Sequence, residues 1–147
     1  MCMKRYPLVL KIFLCICISL LFFSCMSFRD DGTISFEAKL KKIRQIENHG
    51  VGRNTEYSAY AGGKNVRERK TVAFSLKPEE EITFIAFIVE NDTHPDKGRG
   101  EIRIPVSDFS SRETKTVRVS VEVTENDPPK KGKKAVWEFV FEVTRGK

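Results

Sequence analysis

The side chains of this chain that offer binding chemistry are few and lie close together. Glu90, Asp92 and Asp96 fall within one short stretch, beside Asn91 and ahead of Gly100-Glu101. Upstream, Asn48 and Asn54 bracket the glycine-containing run Asn48-His49-Gly50-Val51-Gly52-Arg53-Asn54. A hard cation such as Ca²⁺ takes roughly six to eight oxygen ligands at about 2.3–2.6 Å, several of them carboxylates gathered from loops. Glu90, Asp92 and Asp96 offer carboxylate oxygens of the kind such an ion takes. With so few carboxylates, any such site would be weak. The same stretch also suits plain turn formation, for which Asn91, Asp92, Pro95 and Gly98 are ordinary residues.

Other chemistry has less to stand on. The two histidines, His49 and His94, sit beside Gly or Pro in loop-like sequence. With Asp92 they offer, at most, a transition-metal set spread over two loops. No nucleophile elbow, phosphate-binding glycine loop or zinc-protease helix occurs, so the expectation is a non-enzymatic protein with no cofactor beyond a weak Ca²⁺. All four cysteines, Cys2, Cys15, Cys17 and Cys25, fall in the first 25 residues, and the remainder has no thiol for a disulfide, a thiolate metal site or a nucleophile. The basic run Lys130-Lys131-Gly132-Lys133-Lys134 offers about 1 kcal/mol of attraction per charge near an anionic membrane surface. It serves equally well as a charged hairpin tip that discourages edge pairing.

The elements that must position these groups read as strands. Ile34, Phe36, Ala38 and Leu40 alternate with polar residues, as do Val72, Phe74 and Leu76. So do Val117, Val119, Val121 and Val123, and then Ala135, Trp137, Phe139, Phe141 and Val143. A period of two is the signature of a half-buried strand. Ile82 to Val89 is continuously apolar and reads as a central strand covered on both faces. Lys39 to Gln45 is ambiguous, since Leu40, Ile43 and Ile46 also suit a short helix. Turn chemistry at Gly62-Gly63, Lys77-Pro78, Asp96-Lys97-Gly98 and Asp127 to Gly132 divides the chain. Together these features predict an all-β fold, an antiparallel β-sandwich of about seven to eight strands over 33–147. Strand parity leaves one choice open. If Asn65 to Leu76 is a single run, the loops around Asn48 and Asp92 lie at opposite ends; if a turn near Arg67 to Thr71 splits it, they meet.

Before this body lies a different kind of sequence. Lys4, Arg5 and Lys11 precede an apolar run of 13 residues, Ile12 to Ser24, which ends at Cys25. Such a run matches the apolar region of a secretory signal and falls short of the roughly 20 residues that span a bilayer. Leu21-Phe22-Phe23-Ser24-Cys25 resembles the lipobox of bacterial lipoproteins, although Phe22 stands where Leu is usual. That resemblance implies a signal peptide over 1–24, lipidation of Cys25, and a tether over 25–32 on the extracytoplasmic side of the cell membrane or outer membrane. Met26, in place of an Asp, tilts the expectation toward the outer envelope. Of 26 Lys and Arg against 20 Asp and Glu, three basic residues lie in the leader, so the body carries a net charge of only +3. So weak an excess, without any nucleic-acid module, argues against DNA or RNA as a partner. The expected partners are the membrane, through the lipid, and a protein of the envelope met by an edge strand or a loop end.

Phe84 to Phe109 also resembles the third calcium loop and following strand of C2 domains, in which acidic residues precede a Gly and an Ile-Pro-type strand. Here Glu90, Asp92, Asp96 and Ile104-Pro105 carry the likeness, and Asn48 and Asn54 have the spacing of the first-loop aspartates, so the resemblance implies Glu90, Asp92, Asp96, Asn48 and Asn54 as the metal-ligand set, weakened by its two neutral amides. The resemblance covers about 30 residues of the body. It implies a C2-like or immunoglobulin-like sandwich and, as the alternative function, a calcium- or lipid-responsive membrane-binding module.

Overall fold

The computed structural model describes residues 32–51, 54–91 and 94–147; Cys25, the leader and Asp92 lie outside them. Eight strands follow in order: β1 (Ile34–Asn48), β2 (Thr55–Ala61), β3 (Lys64–Asn65), β4 (Thr71–Leu76), β5 (Glu81–Glu90), β6 (Lys97–Pro105), β7 (Thr114–Thr124) and β8 (Lys134–Arg145). They form two antiparallel four-stranded sheets, β4-β1-β8-β7 and β3-β2-β5-β6, packed as a β-sandwich. The one helical element among the described residues is a 3-10 turn at Val106–Asp108.

The core is built by the period-two positions. Phe36, Ala38 and Leu40 face inward from the first sheet, with Val117, Val119, Val121, Phe139 and Phe141. From the second sheet come Ala59, Ala61, Ile82, Phe84, Ala86 and Ile88. Aromatic contacts fill the core: Phe36 stacks on Phe74 of its own sheet at 5.8 Å and meets Phe109 edge-on at 5.4 Å, while Phe84 lies 5.3 Å from Phe141 across the two sheets. Burying each such side chain stabilises the fold by about 1.5–3 kcal/mol.

β5 departs from expectation. Its even-numbered residues are buried, but Ile85, Phe87 and Val89 are only half-buried on the outer face of the sheet. There Ile85 and Phe87, with Tyr60, Gly63 and Thr83, line a shallow depression of about 490 Å³. A continuous apolar run does not by itself reveal whether a second layer covers its other face. On the neighbouring β6, Arg103 and then Arg99 hydrogen-bond Glu101 and hold its carboxyl below the usual value.

The ambiguous stretch of β1 is a strand with two bulges. The register against β8 shifts between Leu40 and Lys42 and again between Gln45 and Glu47. An extra residue in a strand moves the following side chains to the other face. Leu40 and Ile43 therefore both point inward, opposite Phe141 and Phe139, although they are three apart. That spacing imitates a helix.

The open parity question has a definite answer. Asn65 to Leu76 is broken at Arg67 to Lys70, where the Lys70 N–H donates to the Arg67 carbonyl at 3.0 Å and Arg69 takes a positive φ of 62°. The break carries the chain from one sheet to the other, and the Arg69 N–H donates to the Leu40 carbonyl at 3.0 Å. As a result, the β1–β2, β5–β6 and β7–β8 loops share one end of the sandwich.

Candidate functional site

Three strands deliver an acidic residue to that end. In β5 the inward series Ile82, Phe84, Ala86, Ile88 continues to Glu90, and in β7 the series Val117, Val119, Val121, Val123 continues to Glu125 just past the strand. Asp96 precedes β6. The carboxylate oxygens of Glu90, Asp96 and Glu125 lie within 4.8 Å of one another, and all three residues are buried. Like charges this close repel strongly unless a cation or a proton lies among them.

The approach that makes the cluster possible depends on two glycines. A Cβ at Gly98 would collide with the Glu122 carbonyl, and one at Gly100 with the Ser120 carbonyl. Side chains at those positions would push β6 off β7 and carry Asp96 away from Glu125. With glycine there, the sheets nearly touch along this edge.

Amide donors hold the carboxylates in place. The Asn126 backbone N–H donates to Asp96 Oδ2 at 3.2 Å, and the Asn126 side-chain amide donates to Asp96 Oδ1. Glu125 Oε1 accepts from the Asp127 N–H at 3.3 Å. Across the β5–β6 loop the Glu90 N–H donates to the Asp96 carbonyl at 2.8 Å. Amides thus fix the carboxylates of Asp96 and Glu125 beside that of Glu90, and clustered carboxylate oxygens are the chemistry a hard divalent cation uses.

The expected ligand set is thus only partly assembled. Glu90 and Asp96 come together, and Asp92 lies outside the described residues. Asn48 is engaged in its own loop, where its Oδ1 accepts from the Gly50 N–H at 2.8 Å and its Nδ2 donates to the Val51 carbonyl at 3.1 Å. Asn54 ties the first loop to the third: its carbonyl accepts from the Asn91 N–H at 2.7 Å, and its Nδ2 donates to the Asn91 carbonyl at 3.4 Å. Glu125 is the member the sequence reading missed. Its signal was the parity of the Val117 to Val123 series carried two residues further.

The rest of this end is charged and exposed. His94 Nδ1 meets Asp127 Oδ2 at 2.7 Å, and His49 Nε2 lies 3.5 Å from Glu47, so the two histidines belong to separate pairs. The Lys133 side chain lies over Gly50, bringing the lysine-rich loop against the first loop. No protein-family model matches this chain, and no curated protein sequence matches it.

Proposed function

We propose that this chain is a membrane-anchored lipoprotein whose body is a non-enzymatic β-sandwich binding module of the cell envelope. The observation that carries this reading is the apolar run Ile12 to Ser24 that ends at Cys25, ahead of a β-sandwich body with no other thiol. β1 begins at Ile34 and runs toward the three-loop end. Diacylglycerol with an amide-linked chain anchors durably, at about 0.8 kcal/mol per buried CH₂.

The test is replacement of the thiol. Cys25→Ala is expected to leave an unprocessed precursor that takes up no fatty-acid label. Intact mass of the wild-type protein should correspond to a chain starting at Cys25 with added lipid. Normal processing of the variant would falsify the anchor.

A second reading, a calcium-responsive loop end, is favoured by the third carboxylate. Glu125 raises the anionic ligands from two to three at one point, and ligand charge count sets calcium affinity. A ligand that binds only the folded state raises its stability by RT ln(1 + [L]/Kd). The melting temperature should then rise with millimolar calcium over chelator, and the rise should vanish in Asp96→Asn and Glu125→Gln. An unchanged melting curve at millimolar calcium rules this reading out.

A further inference from the structure

We infer that the free edge of β1 between Lys41 and Asn48 docks an extended strand of another protein, one that alternates acidic and apolar side chains. This names the partner class of the binding module proposed above and rests on that reading. β4 covers one side of β1 only from Ile34 to Lys39, and the Arg69 N–H then takes the Leu40 carbonyl. Beyond that point β8 continues along the other side as far as Asn48. Among the described residues no strand pairs with the first side of Lys41–Asn48. A row of unpaired backbone donors and acceptors is a template for an added strand.

The side chains around this edge specify what kind of strand fits. Register against β8 puts Lys42 and Arg44 on the outer face, opposite Val140 and Glu138, and Ile43 and Gln45 on the inner face, opposite Phe139 and Trp137. Among the described residues the two exposed large hydrophobics, Ile46 at 49% and Tyr57 at 46%, both lie along it. Tyr57 lies edge-on to Phe139, the cross-strand neighbour of Ile43, at 6.2 Å. Trp137 faces Gln45 across the strands, and its indole N–H is buried without an acceptor.

Charge selects among possible occupants. Lys41 pairs with Glu142 at 3.2 Å, whereas Glu138 alone serves both Arg44 at 2.7 Å and Arg118 at 3.1 Å. Lys42 is exposed and has no ion pair among the described residues. The outer face along this edge is therefore left positive, and a residue directly opposite Lys42 or Arg44 in an added strand would share that face. Acidic residues match there, and apolar ones match Ile43 on the inner face. An antiparallel second copy that sets Lys42 against Glu47 across the bulge brings Arg44 against Arg44. Edge lysines also repel indiscriminate strands.

The experiment uses the full chain in detergent and an eight-residue peptide of alternating Glu and Val, blocked at both ends. Trp137 is the only tryptophan of the chain, so its fluorescence reports binding at Gln45. The expected result is a saturable change, with about tenfold weaker binding of the matching Lys-Val peptide and a reversal of that preference in Lys42→Glu. Equal affinity for the two peptides, or no saturable change with either, would overturn the proposal. So would sedimentation showing a self-dimer that Lys42→Glu dissolves, which assigns the edge to a second copy. Peptide binding in detergent does not require the lipid, so failure here and failure of the Cys25→Ala test are separate outcomes.

Discussion

The two halves of β1 have nearly the same length and very different surroundings. From Ile34 to Lys39 the strand lies between β4 and β8, alternates strictly, and buries Phe36 and Ala38 completely enough to anchor the core. From Lys41 to Asn48 it has one neighbour, two bulges, and no fully buried side chain. A strand held on both sides contributes stability; one held on a single side keeps its backbone available. Function in this molecule is accordingly sought in the second half, and stability in the first.

That contrast is open to direct attack. Phe36→Ala should cost about 3–5 kcal/mol, because it leaves a cavity between the rings of Phe74 and Phe109. Denaturant unfolding should show it as a large fall in midpoint at unchanged slope. A loss under 1 kcal/mol would mean that the two halves are not energetically distinct.

Glu138→Gln probes the tie that holds the second half down. Its carboxylate is mostly buried and receives Arg44 Nε at 2.8 Å and Arg118 Nη1 at 3.1 Å. Both arginines are about half exposed, so solvent discounts the pairing to about 1–2 kcal/mol. Amide exchange should quicken from Lys42 to Asn48 while Ile34 to Lys39 stays protected, since local opening follows local contacts. Equal acceleration in both halves would contradict the division.

The smallest effect is expected at Ile46. Exposed and at a bulge, it should tolerate Ser within about 0.5 kcal/mol in the same unfolding measurement. A larger loss would show that the second half is packed more tightly than its neighbours indicate.

Much of this architecture was legible because strand alternation is a local property. Ile34 to Leu40, Val117 to Val123 and Ala135 to Val143 announced their inward faces, and solvent exposure follows from which side of a pleat a residue occupies. Local reading failed where one extra residue changed parity. The bulges at Lys41 and Ile46 made a strand resemble a helix, and the break at Arg67 to Lys70 looked optional although it decides which loops meet. The outer face of β5 was misjudged because an apolar run carries no record of how many layers cover it.

For the candidate site the division falls between neighbours in space and neighbours in sequence. Glu90 and Asp96 were conspicuous as an acidic loop, whereas Glu125 is 29 residues beyond Asp96 and became a member only by folding. The sequence by itself determined the strands, the thiol-free body and the acidic loop, since composition and period-two patterning act over a few residues. Only the tertiary structure decided that three loops converge, that Gly98 and Gly100 let β6 settle on β7, and that half of β1 is left without a second neighbour. Those are outcomes of sheet packing and register, set by contacts between residues far apart in the chain.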